Sequence, residues 1–266
     1  MATRNVYISK STYPYFQELK IDFDWFAGFA LSQKRKCEIS LHLNFLAQYP
    51  NHNILEISSS SLTPLGVQLS AMNLSKETPN GISCVESIYQ SSKIFINPQN
   101  NEKKGPFPEY LFSDGKTSKK SIRLLSSGLT LSSYFFENTS WEIFSSYPHL
   151  FYDYIYISAL MEKENENVRN LLLDSDYDAF TDLATKSINC QARSAAIFVG
   201  LYKAGLINSI NSSDSFKQLF LTSESSHKNN HTSIQIVPKS VERGDVIKYY
   251  TKFYGHLSNK KGALFT

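Results

Sequence analysis

The sequence predicts an α+β fold, mainly α-helical, in one main domain with a few short strands and a short C-terminal extension. Three observations lead there. Residues 83–95, 150–163 and 187–204 repeat apolar side chains at three- and four-residue steps, the spacing of one helix face. Residues 21–25 alternate and residues 54–57 run apolar over a few positions, as short strands do. The 266 residues are 41% hydrophobic and 19% charged, with 18 Phe and 16 Tyr, so the chain can bury one substantial core. The main domain is expected over residues 1–222, with residues 223–266 as a polar linker and basic extension.

In chain order, Ile21, Phe23 and Trp25 alternate with Asp22 and Asp24 before a Gly28 turn. Ser32 is placed to cap a helix through Leu46, with Cys37, Leu41 and Phe45 facing inward. Lys34, Arg35 and Lys36 crowd its first turn, where free N–H groups already make the field positive. Such crowding favours bound phosphate or lowers an amine pKa, and an uncharged amine can attack an anomeric carbon; the plain alternative is a solvated basic face. Thr63-Pro64, after the ILEI strand, reads as an N-cap and first-turn pair for a short helix ending near LSAMNL.

In residues 83–95, Val85, Ile88, Tyr89, Ser92 and Phe95 share the core side. Glu86, Gln90 and Lys93 line a second face, which can be a site; alternatively Ser83 and Glu86 form a capping box. Residues 97–121, with three Pro and two Gly, read as a loop or lid. Pro148 opens the helix LFYDYIYISALMEK, with Leu150, Tyr154, Ile157 and Met161 as a stripe and Asp153 near its favourable end for an acid. VRNLLLD is a short helix. Asp174, Asp176, Asp178 and Asp182 follow without the glycine and closing glutamate of a calcium loop. Ser187 caps the next helix, with Ile188, Ala192, Ala195, Ala196, Val199 and Tyr202 inward and Gly205 as its stop. Asn189, Gln191 and Arg193 stand in its first turns.

Cys37, Cys84 and Cys190 make no paired framework. The N-terminus lacks an apolar signal core and the apolar run 195–202 is too short to span a bilayer, so a soluble, cytoplasmic protein is expected. Net charge is +3, and residues 234–266 hold six Lys or Arg against two acids, a tail for a polyanion or simply for solubility. His227 and His231 lack a third ligand cluster, so no metal is expected. HExxH, P-loop, GxSxG and CxxC patterns are absent, which removes sequence support for metal hydrolysis, NTP turnover and serine-hydrolase chemistry.

The fragments DWFAGFALSQKRK, CVESIYQSSKIF, FYDYIYISAL and YDAFTDLATKSINCQARSAA resemble, in this order, the NADAR family over residues 20–206. The likeness is to its branch paired with DarT-type guanosine ADP-ribosyltransferase toxins, and KSINCQARSAA is its most distinctive run. The resemblance implies a cofactor-free glycohydrolase that removes ADP-ribose from guanine bases of DNA or RNA, an antitoxin or phage-defence reversal factor with a DarT-type toxin as genetic partner. The wider family implies instead an N-glycosidase on riboflavin-pathway intermediates; a non-catalytic ADP-ribose-binding module is the third possibility. By likeness, SQKRK supplies the Schiff-base lysine, with Lys34 chosen over Lys36. Glu86 or Asp153 then protonates the leaving nitrogen, and Asp182 faces the sugar. Trp25, Asn73, Gln90, Tyr152, Asn189, Gln191 and Arg193 hold the ligand. The chain departs from the pattern at WEIFSSYPHL, where the branch has a W-P-L-E-P-like run, and at TDLATKSINC, where relatives carry a longer acidic insert.

Overall fold

The computed structural model describes residues 1–183 and 190–221. The chain begins with β1 (Ala2–Ser9), β2 (Phe16–Phe23), α1 (Leu31–Gln48), β3 (Ile54–Glu56) and α2 (Pro64–Gln68). It continues through β4 (Ser75–Thr78), β5 (Gly81–Cys84), α3 (Val85–Ser91), β6 (Lys93–Ile96), β7 (Lys103–Lys104) and α4 (Gly115–Leu125). The remaining elements are β8 (Thr130–Phe136), β9 (Thr139–Glu142), α5 (Leu150–Met161), α6 (Glu166–Asp174), β10 (Ala179–Thr181), α7 (Gln191–Lys203) and α8 (Ser213–Leu221). The α+β expectation holds, with more strand than foreseen: the described strands form three sheets.

The first sheet has the order β2-β1-β10-β3, antiparallel except for the parallel pair β10–β3. Successive side chains on a strand face opposite ways. Val6, Ile8, Ile54 and Ala179 therefore pack on one side against Cys37, Leu41 and Phe45 of α1. Tyr7, Leu55 and Phe180 face the larger core on the other side, with Ala192, Ala195 and Ala196 of α7. Small residues let α7 lie close: a Cβ on Gly200 would stand 2.4 Å from the Lys10 carbonyl and 2.3 Å from that of Tyr15. Within α5, Leu150 through Ile157 are all buried, as befits a helix surrounded by protein. Its Phe151 and Tyr154 meet the second sheet, β7-β6-β8-β9, at Tyr134 (4.6 Å between centroids) and Trp141 (4.7 Å). Each such large side chain contributes about 1.5–3 kcal/mol by leaving water.

Several local expectations hold. Thr63 caps α2, its hydroxyl accepting from the Gly66 N–H at 3.1 Å. Gly205 ends α7 at φ +70°, and its N–H donates to the Tyr202 carbonyl. The three cysteines are free. None of the described helices is long and apolar enough to cross a membrane.

Others are corrected by pairing between distant segments. The stretch 83–95 is not one helix: Ser83 belongs to β5, pairs with Lys76 and donates its hydroxyl to the Leu111 carbonyl, so it caps nothing. At the other end, Lys93 pairs with Tyr134 in the second sheet, leaving α3 only seven residues. The stretch 97–121 contains β7 and the start of α4, which Asp114 caps through the N–H groups of Lys116 and Thr117. Helix α1 starts one residue before Ser32, with Ala30 as N-cap and its carbonyl accepting from Gln33 and Lys34. Tyr202 is half exposed rather than inward. Ser187, Ile188, His227 and His231, and the extension from residue 223, lie outside the described residues.

Candidate active site

The parallel strands β3 and β10 set Glu56 level with Thr181 at their C-terminal ends, and Asp182 is the next residue along. Glu56 is buried and accepts from the Thr181 hydroxyl (2.6 Å) and the Leu183 N–H (3.0 Å). On the other side of Thr181, 3.0 Å away, is His42 Nε2. While Glu56 is ionised the Thr181 hydroxyl donates to it, and His42 then donates to Thr181 through Nε2. Burial keeps that ring neutral, lowering its pKa to about 3. The Glu56 carboxyl is raised to about 7, first by burial and then by the charge of Asp182.

That shift has a sign. An acid whose folded-state pKa exceeds its unfolded value leaves stability intact below the ordinary carboxyl range and withdraws it as pH rises through about 7. Urea unfolding of the wild type should therefore show stability declining from about pH 4.5 to above 7 on this account, and Glu56→Gln should flatten that slope.

Helix α1 runs opposite to β10. His52, beyond its C-terminus, bonds Asp178 just before β10 (2.7 Å), whereas His42 bonds Thr181 at the strand's end. Its first turn thus lies beyond the same strand ends as Asp182. Lys34 sits roughly 12 Å further along the axis than His42, at 1.5 Å per residue. It is exposed and has no side-chain partner among the described residues.

Glu86 comes from the opposite side, in the first turn of α3. Its Oε1 accepts from Gln90 Nε2 (2.9 Å), and Gln90 Oε1 accepts from Lys93 Nζ (2.7 Å), so the acid–amide–amine row read from the sequence is a bonded chain. Lys93 lies over the Tyr89 ring at 4.3 Å, half-buried, and burial lowers its amine to about 8 despite the attraction of Glu86. Lys119 of α4 reaches Glu86 at 3.5 Å. Gly115 allows this approach, since a Cβ there would be 3.0 Å from that of Glu86 and 2.6 Å from Met72 Sδ.

Tyr152 on α5 connects the two halves. It is fully buried, and its hydroxyl is held well above the usual range by burial, then by the charge of Glu86, then by that of Asp182. Acids from two elements remote in sequence thus act electrostatically on one phenol.

Gln191 joins the supports of both acids. Its amide donates to the Ile57 carbonyl (2.6 Å), next to the end of β3, and accepts from the Ala71 N–H (2.7 Å). The Ala71 carbonyl in turn accepts from the Glu86 N–H (2.9 Å). Asp153 and Arg193 are bonded to each other: the carboxylate accepts from Arg193 (2.9 and 3.0 Å), Ser194 (2.5 Å) and Tyr147 (3.0 Å), wholly inside the fold. Asn73 is exposed and donates to the Val67 carbonyl. Trp25 is half exposed beneath the Arg4 guanidinium, 5.3 Å from its ring centre. Asn189 lies outside the described residues.

The structure thus bonds Glu86 to Gln90 and Asp153 to Arg193, while Tyr152 feels the charges of both Glu86 and Asp182. Sequence reading missed Glu56, His42 and Thr181, whose partnerships span 125 and 139 residues. It noted Lys93 only as part of a stripe. The family model described as NADAR-DarT1, the DarT1-associated NADAR antitoxin, matches residues 2–230. No curated protein matches the chain.

Proposed function

As the chain belongs to the NADAR family, in its DarT1-associated antitoxin branch, we propose that it removes ADP-ribose from guanine bases of nucleic acid by hydrolysing the N-glycosidic bond. What supports this reading is that the charges of Glu86 and Asp182, acids from different elements, both act on the buried Tyr152 hydroxyl, which puts the three groups in one electrostatic neighbourhood. Glycoside cleavage needs such a pair, one acid to protonate the leaving atom and one beside the sugar as positive charge develops.

Asp153 is unsuited to give the proton, because it is wholly buried and held as the partner of Arg193 inside the fold. Glu86 takes that role and Asp182 the stabilising one. The Lys34 amine attacks C1″ of the ribose, the bond to the guanine nitrogen breaks, and that nitrogen takes the proton from Glu86. Ring opening then gives a Schiff base, and water releases ADP-ribose and restores the amine. Tyr152 and Gln90 border the ligand, with Trp25 and Asn73 at its periphery; Gln191 and Arg193 act by holding the walls.

One observation favours a second reading of the nucleophile: Lys93, lowered to about 8, is already bonded to the row that holds Glu86. Its free-amine fraction grows as pH rises through about 8, so this route predicts activity increasing across that range.

The test is incubation with a guanine-ADP-ribosylated oligonucleotide, and in parallel with riboflavin-pathway precursors, while free ADP-ribose or ribose phosphate is followed. Borohydride during turnover should leave a sugar mass on the peptide holding Lys34 or on the one holding Lys93. Turnover with neither peptide labelled would refute the covalent route. Release from the flavin precursors alone, or ADP-ribose binding without turnover, would refute the reading itself.

A further inference from the structure

Helix α4 carries Lys116, Lys119, Lys120 and Arg123 at i, i+3, i+4 and i+7, which puts four cations on one stripe. All four are exposed, while Gly115, Ser118 and Ile122 form the buried side. Near the end of the stripe Lys104 of β7 donates to the Leu125 carbonyl, with Lys103 exposed beside it in sequence. Within the stripe, Lys119 reaches the Glu86 carboxylate at 3.5 Å. Residues 97–125 hold six Lys or Arg against three acids, a net charge equal to that of all 266 residues. Outside this patch and the tail of residues 234–266, which nets +4, the chain nets −4, so this patch is a local positive field beside the proposed site.

We propose that the exposed stripe of α4 is the surface along which the sugar–phosphate backbone of a nucleic-acid strand runs, delivering the modified base to Glu86. The occupant follows from charge and continuity. Cations repeating along a helix at roughly 1.5 Å rise per residue match a polyanion extended in one direction better than a single small anion. The chain's own extension fits poorly, since residues 234–266 hold six Lys or Arg against two acids and would be repelled. A small N-glycoside has no use for cations running away from the site. The proposal rests on the hydrolase reading for its meaning but not for its measurement, because binding of an unmodified strand needs no chemistry.

The test is the triple variant Lys116→Gln, Lys120→Gln, Arg123→Gln in the full chain, with Lys119 left in place. Glutamine is a good helix former at exposed positions, and a thermal melt confirms folding. Fluorescence anisotropy with an unmodified twenty-nucleotide strand, over a salt series, should show at least tenfold weaker binding for the variant at low salt. The dependence of log affinity on log salt should be shallower by about 2, three contacts at about 0.7 each for a single strand. Release of ADP-ribose from a modified mononucleoside should be unchanged, while KM for a modified oligonucleotide should rise. Equal affinity and salt slope for wild type and variant would overturn the proposal. So would equal losses on mononucleoside and oligonucleotide, which would point to damage at the site. If the wild type binds strands as expected but never releases ADP-ribose, the hydrolase reading fails and the surface assignment stands.

Discussion

Replacing Glu86 by Gln should lower turnover of a guanine-ADP-ribosylated oligonucleotide by about 10²- to 10⁴-fold, the usual worth of a positioned general acid. The substitution is nearly isosteric, and a glutamine oxygen can still accept from Gln90 as Oε1 does at 2.9 Å. The backbone bond from residue 86 to the Ala71 carbonyl is unaffected. Stability should therefore change little while the proton is lost, and the effect should fall on kcat more than on KM. Single-turnover kinetics with an unchanged thermal melt would establish this. A variant retaining more than a tenth of wild-type kcat would remove Glu86 from the chemistry.

The largest stability effect is expected at Arg193. Asp153 is 0% and Arg193 3% exposed, so Arg193→Met would leave a buried carboxylate with only the Ser194 and Tyr147 hydroxyls. Breaking a buried pair from one side costs about 3–5 kcal/mol, because the remaining charge is still out of water. Urea unfolding should show this loss with an unaltered m-value. The double variant Asp153→Leu, Arg193→Met should recover part of it, since an apolar pair leaves no orphaned charge. If Asp153→Asn abolished activity without a matching loss of stability, Asp153 would be acting on substrate rather than holding α5 to α7.

Features encoded within a few residues were legible in the sequence. Thr63-Pro64 specified a helix start, Gly205 a helix stop, and the spacing of Glu86, Gln90 and Lys93 a bonded row, because each depends on neighbours less than two turns away. Residues 83–95 misled because Ser83 and Lys93 are claimed by strands elsewhere, β4 and β8, and the helical spacing of Phe95 with Ile88 is coincidental. Sequence spacing is likewise silent about Glu56, whose pKa is raised first by burial and then by the charge of Asp182, 126 positions away in the sequence numbering. Gln191 and Arg193 were found by resemblance, yet their partners show them gripping protein, a distinction no linear pattern contains.

The bridge made by Gln191 has a consequence for how the cleft behaves. Because a single carboxamide grips the strand end beside one acid and the turn that anchors the other, the two walls form one stiff frame, and their spacing is set before any ligand arrives. In the proposed cleavage a frame of this kind does no rearranging as the glycosidic bond stretches, so its fixed dipoles would meet the nascent cation already aimed.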